Sequence, residues 1–260
     1  NFILRRNYDG IDGKVTLGQS SRSDAREQQY GLTAGFGDLD SQGFNVLASV
    51  DVFKRDPLLR NAREISKSVD FRRFGPIPGF NLDGRSSFAP QGNFLDPTGS
   101  FFDGTQVRPC PEENLTGGRC RYDFNATLLT AYNGADRVSG LLSGQVALGK
   151  DTLAYARVMA SQNKDHFEAH PVPDFFLHES GRFYAGRFMQ GGPRITDRKT
   201  DFATLDLGAE GVVGNLDWTL GLSHGKAKTS NADQNYYNRT LWDNATGSGA
   251  IDATVTTNDP

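Results

Sequence analysis

Gly10-Ile11-Asp12-Gly13-Lys14-Val15-Thr16-Leu17-Gly18 switches side at every step, with Ile11, Gly13, Val15 and Leu17 on one face and Asp12, Lys14, Thr16 and Gly18 on the other. Side chains alternate across a β-strand, so this stretch predicts a strand with one apolar and one wetted face. The code recurs along the chain. Tyr30, Leu32, Ala34 and Phe36 oppose Gly31, Thr33, Gly35 and Gly37, and after a tight connection to Gly43 the residues Phe44, Val46, Ala48, Val50 and Val52 oppose Asn45, Ser49 and Asp51. Two such runs joined by a short polar link predict a hairpin.

Val138, Gly140, Leu142, Gly144, Val146 and Leu148 resume the alternation, and Gly149-Lys150-Asp151-Thr152 turns the chain into Ala154, Ala156, Val158 and Ala160. Ala203, Leu205, Leu207 and Ala209 form a sixth apolar row, and Gly214-Asn215-Leu216-Asp217 leads to a seventh at Trp218, Leu220 and Leu222. Between these hairpins lie mostly long connections. Tight turns on one side and long loops on the other predict an all-β fold, an antiparallel transmembrane β-barrel with its apolar faces turned to lipid. Phe36, Phe44 and Trp218 flank the tight turns on the apolar face, where interfacial aromatics belong. A soluble β-sandwich would show the same alternation with its aromatics in the core, but with shorter loops and bulkier inward residues than these many Gly and Ala. Asp12, Lys14, Asn45, Asp51, Gln145, Arg157, Asp206 and Glu210 lie on the polar face, lining a hydrated interior in a barrel.

Mean hydropathy is −0.52. That value suits a barrel, whose wall needs an apolar residue only at every second position. No run of about 18 apolar residues is present, which excludes a transmembrane helix. A net charge of −3 leaves no footprint for nucleic acid. Cys110 and Cys120 bracket a turn-rich segment with Pro at its start and Gly117-Gly118 near its end, and an even cysteine count in an oxidising compartment predicts a disulfide that stiffens this loop. The first residues, Phe2 to Arg6, already read as a strand, and the chain stops in the Thr-rich run Thr254 to Pro260. Both ends read as cuts from something longer, and about seven strands are too few for a closed membrane barrel, which needs at least eight.

The long connections are where function is expected. Lys54 to Arg137 has little strand signal, beyond a helical spacing of Leu59, Ala62, Ile65 and Val69 good for a turn or two. It carries Phe71, Arg72, Arg73, Phe74, Phe80, Phe88, Phe94, Phe101 and Phe102, a mixture suited to stacking on a ligand or to packing a compact loop. His166 and His170 are four apart, which on a helix would place both on one face, but Pro171 and Pro173 argue for an extended loop and no metal is assigned there. Arg72, Arg73, Phe74, Phe101, Phe102, His166 and His170 are therefore the candidate ligand contacts. The sequons at Asn114, Asn125, Asn238 and Asn244 arise readily in a chain rich in Asn and Thr. No catalytic triad, phosphate loop or paired-carboxylate pocket is placed by motif, so the protein reads as a non-enzyme without a cofactor.

The opening Asn1-Phe2-Ile3-Leu4-Arg5-Arg6 resembles the end of the plug domain of TonB-dependent outer-membrane receptors, where an Asn, two hydrophobic residues and a basic pair pass straight into the first barrel strand. Tyr30 to Gly37 followed by Phe44 to Pro57, with its Phe-Lys-Arg-Asp-Pro ending, is similar to the family's second and third strands, and Asp151 to Ala156 and Gly214 to Trp218 are similar to its periplasmic turns. The resemblance implies an N-terminal portion of a 22-stranded barrel: residues 1–10 as the end of the plug, and 11–260 as the first barrel strands with external loops at 54–137, 163–199 and 227–260. It implies location in the bacterial outer membrane, contact with outer-membrane lipid, and TonB-dependent import of an iron chelate, cobalamin, oligosaccharide or peptide. The TonB complex would act through a plug segment outside this chain. A non-energised porin or adhesin-type barrel and a secreted β-sandwich binding module are the alternatives.

Overall fold

The computed structural model describes residues 7–99, 101–127 and 129–251. The basic pair at Arg5 and Arg6 and the run from Thr254 to Pro260 lie outside them. The chain divides into two compact units, one built from residues 1–57, 133–166 and 197–232 and the other from 58–132, 167–196 and 233–260.

The first unit is built on a seven-stranded sheet in which each strand lies beside the next in sequence: β1 (Gly10–Gly18), β2 (Glu27–Phe36), β3 (Phe44–Arg55), β4 (Gly134–Ala147), β5 (Thr152–Ala169), β6 (Arg194–Val213) and β7 (Leu216–Gln234). All seven alternating runs thus become neighbours in an antiparallel meander, with β1 and β7 at its edges among the described residues. The connections after β2, β4 and β6 are short, the last consisting of Gly214 and Asn215 alone.

The registers bring the apolar side chains onto one face. Ile11 pairs with Ala34, Ala34 with Ala48, Ala48 with Leu142, and Leu142 with Val158. Gly13, Leu32, Val50, Gly140 and Ala160 form the adjacent row. A slip of one residue in any ladder would have moved that strand's apolar set to the other side. Along β3 the accessibility alternates residue by residue, with Val46, Ala48, Val50 and Val52 exposed and Asn45 and Leu47 buried. The apolar face is bare among the described residues: Ile11 is 79% exposed, Leu142 53% and Leu220 70%. The polar face is internally bonded, with Thr33 and Ser49 hydroxyls 2.8 Å apart and Gln29 Nε2 donating to Asp51 Oδ2 at 2.9 Å.

The chain ahead of β1 crosses this polar face at the short-turn end. Asn45, 2% exposed, donates from Nδ2 to the carbonyls of Tyr8 (3.0 Å) and Gly37 (2.6 Å). Asn7 Nδ2 donates to Asp38 Oδ2 at 2.8 Å, and the Leu39 amide donates back to Asn7 Oδ1 at 3.1 Å. Gly35 makes room for the crossing, since a Cβ there would fall 2.0 Å from the Tyr8 carbonyl oxygen.

The ladders outrun the apolar pattern. The alternation fades at Gln162, begins again at Ala203 and ends at Leu222, yet β5 continues to Ala169, β6 starts at Arg194 and β7 runs to Gln234. In these extensions polar side chains stand on both faces, interrupted by Phe167, Ile195 and Phe202, so the backbone pairing persists while the period-two contrast disappears.

The second unit is assembled from the long connections. Asn93–Leu95 and Phe102–Gln106 from the first pair with each other, and Phe183–Arg187 from the second lies between Asn93–Leu95 and Pro173–Leu177, giving a four-stranded sheet. Of two 3₁₀ turns in the stretch Leu58 to Phe74, Arg60–Ala62 lies within the helical spacing and Phe71–Phe74 just beyond it. Helix α1 (Arg239–Gly247), which no periodicity announced, begins at Asn238, whose side chain accepts from the Leu241 amide. It delivers Trp242 to a core with Phe176 and Tyr184, flanked by Phe94, Val107, Phe188, Tyr237 and Ile251.

Cys110 and Cys120 are joined, with Cα atoms 5.9 Å apart. The hairpin between Leu115–Thr116 and Arg119–Cys120 turns at Gly117 (φ 56°) and Gly118 (φ 74°), the paired positive values that a two-residue primed turn requires. Buried Asn93 clamps the bridge, accepting from the Cys120 amide at 2.7 Å and donating to the Cys120 carbonyl at 2.9 Å. Closing a loop of this length is worth about 2–3 kcal/mol through the unfolded chain. Reduction, or Cys110→Ser with Cys120→Ser, is expected to destabilise the second unit by that amount, seen as a lower midpoint in limited proteolysis at rising denaturant.

Candidate functional site

The loop aromatics fall into two groups. Phe88, Phe94 and Phe102 are structural: Phe88 meets Phe102 edge-on at 6.4 Å and Phe175 at 5.3 Å, and Phe94 meets Tyr184 at 6.4 Å. Phe71 (41% exposed), Phe74 (65%), Ile77 (51%) and Phe80 (73%) instead form an apolar tip, and Phe101 is equally open at 73%. The Phe71 and Phe74 rings stack at 6.4 Å, and the Arg73 guanidinium lies 4.4 Å from the Phe74 centroid. Pro76 and Pro78 remove two amide donors from the same stretch.

Arg72 and Arg73 support this tip. Arg72 grips Asp70 with two hydrogen bonds, Nε to Oδ1 at 2.8 Å and Nη2 to Oδ2 at 2.7 Å, and Arg73 Nη1 donates to the Asp70 carbonyl at 2.6 Å. Beneath them Arg85, 6% exposed, makes the same two-pronged contact to buried Asp83 at 2.9 and 3.0 Å, and donates to the Glu113 carbonyl and Asn114 Oδ1. Burial alone would raise the Asp83 pKa, but the hydrogen bonds from Arg85 and the charges of Arg85 and Arg72 outweigh it and bring the carboxyl down to about 2. This network ties the base of the loop together while the rings of Phe71, Phe74 and Phe80 stay exposed.

The two histidines each have partners within the chain. His166 lies in β5 rather than in a loop, with Nδ1 2.6 Å from Asp197 Oδ1. His170 is half-buried, its Nδ1 2.9 Å from Arg187 Nη1 and 3.0 Å from Arg194 Nη2. Guanidinium groups only donate, so this nitrogen accepts and the neutral ring carries its hydrogen on Nε2. Arg187, itself 4% exposed, also donates to the carbonyls of Phe88 and Pro171 and to the Ser86 hydroxyl. Burial, helped by neighbouring Arg194, lowers its pKa to about 10, which leaves it charged at neutral pH. Burial, then the charges of Arg187 and Arg194, pushes the His170 pKa below its ordinary value.

That shift has a definite sign. The unfolded chain takes up a proton at His170 near pH 6.5, while the folded state resists it, so stability present above that pH is lost as pH falls through it. Denaturation midpoints of the second unit, followed by Trp242 fluorescence with Trp218 replaced by Phe, are expected to drop between pH 7.5 and 5.5. His170→Gln should flatten that part of the profile.

The seven residues singled out by sequence are thus dispersed in role. Arg72, Arg73 and Phe74 sit together at the tip, Phe102 packs within the four-stranded sheet beneath the Arg119 guanidinium at 5.3 Å, and His170 belongs to the arginine network. Sequence reading passed over Ile77, although the run Phe71-Arg72-Arg73-Phe74-Gly75-Pro76-Ile77-Pro78-Gly79-Phe80 concentrates apolar residues between backbone breakers. Of the aromatics that the sequence places beside the tight turns, Phe36 is 66% exposed and lies 5.7 Å from Phe44, beside the first short turn. No family model, curated protein or solved structure matches the chain.

Proposed function

We propose that the seven-stranded sheet is part of the wall of an outer-membrane β-barrel, with its apolar face against lipid and its polar face toward a hydrated lumen. More particularly, we read the protein as a TonB-dependent importer of a scarce nutrient, part of a 22-stranded barrel, with residues 1–10 as the end of its plug and the link to the barrel. One observation carries the reading: apolar side chains from successive strands align in register on one face and stay exposed. From Phe44 to Val52 the strand rises about 26 Å, or about 20 Å along the membrane normal at the usual strand tilt, near the ~25 Å apolar band of such barrels. The two sheet edges also fit a larger closed wall, since unpaired backbone groups facing lipid cost several kcal/mol each.

In this reading the second unit captures the ligand outside the cell. The tip at Phe71, Phe74, Ile77 and Phe80, with Arg73 over Phe74, suits a ligand offering flat apolar surface and negative charge. Binding would then be relayed to the plug, which the TonB complex pulls to open a path. The full-length protein is expected to fractionate with outer membranes and to support uptake of iron chelates, cobalamin, oligosaccharides or peptides only while the energy-coupling complex is intact. Uptake that persists without that complex would overturn the importer reading in favour of a passive pore. Recovery as a soluble periplasmic or secreted monomer would overturn the barrel itself.

A further inference from the structure

The apolar tip closes on a narrow neck. Asp70 and Asp83 pair as an antiparallel bridge, the Phe71 amide donates to the Leu82 carbonyl at 2.8 Å and the Gly84 amide to the Val69 carbonyl at 3.0 Å, so residues 71–82 leave and re-enter the second unit at one point. Gly84 permits that approach, since a Cβ there would fall 2.7 Å from the Val69 carbonyl oxygen. Arg85 fastens the neck to another stretch of chain. Its guanidinium holds Asp83 and also reaches the Glu113 carbonyl at 2.8 Å, Asn114 Oδ1 at 2.9 Å and Thr116 Oγ1 at 3.3 Å. Thr116 Oγ1 donates in turn to Asp83 Oδ2 at 3.1 Å, and Arg121, next to Cys120, donates from Nη1 to the Arg85 carbonyl at 3.0 Å. Glu113, Asn114 and Thr116 all lie between Cys110 and Cys120, so the loop that the disulfide closes supplies these partners of Arg85.

We propose that the Cys110–Cys120 disulfide is a redox-sensitive brace for the apolar tip: closed, it holds the neck through Arg85, and reduced, it lets the tip lose its fixed shape. Burial makes the chemistry one-sided. Cys120 is fully buried and bonded through both its amide and its carbonyl to Asn93, whereas Cys110 is partly exposed. A thiolate of a soluble dithiol therefore attacks the Cys110 sulfur, the S–S bond breaks, and Cys120 leaves as a thiolate that takes up a proton. The second thiolate of the reductant then displaces Cys110, which is protonated in turn, and the reductant departs as a disulfide. Cys120 stays seated on Asn93, so the freed end is the leg from Cys110 through the 3₁₀ turn Glu112–Asn114, which carries two of the acceptors of Arg85. Without them the buried guanidinium loses charge-assisted hydrogen bonds and the neck loses its anchor. Under the proposed function, on which only this consequence rests, ligand capture at the tip follows the oxidised state.

The test is hydrogen exchange at the neck amides of Phe71 and Gly84, read by mass spectrometry on the full-length protein when oxidised, when reduced by a dithiol, and as Arg85→Gln in each of those states. The expected result is exchange faster by on the order of ten- to a hundred-fold on reduction, matched by Arg85→Gln with the bridge closed, and no further gain when the two are combined, because both cut the same connection. The opening is expected to be local: neck exchange in the reduced protein stays constant through low urea, while the amides of helix α1 exchange faster as urea rises. Cys110→Ser with Cys120→Ser should reproduce the reduced state without reductant. Unchanged neck exchange on reduction would overturn the proposal, as would neck exchange that climbs with urea in step with α1, or effects of reduction and Arg85→Gln that multiply. Uptake scored on the same samples separates this failure from that of the capture reading: a freed neck with uptake intact leaves the brace standing and removes the tip from ligand capture, whereas lost uptake with an unchanged neck sinks the brace alone.

Discussion

Replacing Phe176 by Ala is expected to destabilise the loop-built unit by about 3–5 kcal/mol, the cost of emptying a well-packed aromatic site. Phe176 is wholly buried, and its ring lies 5.5 Å from Tyr184, 6.3 Å from Tyr237 and 5.9 Å from Trp242. These partners come from separate stretches of the chain, so the cavity would loosen the strand at Phe183–Arg187 and helix α1 together. Hydrogen exchange should show protection lost across Pro173–Leu177, Phe183–Arg187 and Arg239–Gly247, while β1 to β4 remain unchanged. Loss confined to Phe176 and its immediate neighbours would mean that the aromatic cluster is not the core of this unit.

Leu142→Arg is expected to be about as damaging, for a different reason. Leu142 is 53% exposed and sits in the middle of the apolar face, paired with Ala48 on one side and Val158 on the other. In water an exposed Leu→Arg change is nearly neutral, but at the centre of a bilayer it costs about 2–4 kcal/mol. Refolding of the full-length protein into lipid vesicles, followed by the gel shift of heated against unheated samples, should therefore be impaired by Leu142→Arg. Ser139→Arg, on the polar face of the same strand, should be tolerated. Equal tolerance of both would remove the membrane from the account of this sheet.

The seven long strands were legible because one face of each had to be apolar, and Ile11, Leu32, Val50, Leu142 and Leu205 mark that face in the primary structure. Their far ends were not. From Lys226 to Asp233 both sides of β7 are polar or small, so the ladder continues with no chemical contrast to announce it. The four-stranded sheet was hidden for another reason: its strands are three to five residues long, and Tyr184 finds Phe94 from a different loop. Short strands with distant partners leave no local period. Helix α1 buries only Trp242 and Thr246, too few positions to set up an apolar stripe.

The candidate site was half-legible. Composition placed aromatics and arginines together between Phe71 and Phe102, but a ring that packs and a ring that stays open are the same letter. Only tertiary pairing separates Phe88 from Phe80. The cysteine pair was readable from spacing, whereas the role of Asn93 in clamping it needed coordinates. His170, read as a candidate ligand contact, accepts from two arginines, and no local pattern in the sequence announces that pairing.

The crossing of Asn7 and Tyr8 over the first hairpin has a mechanical consequence. Tension applied to the chain ahead of Asn7 is delivered first to a cluster of side-chain bonds, Asn7 with Asp38 and Leu39, and Asn45 with Tyr8. A pull from upstream would have to break these side-chain bonds as well as the ladder between β1 and β2. Asn45→Ala should let such a pull travel further into the sheet.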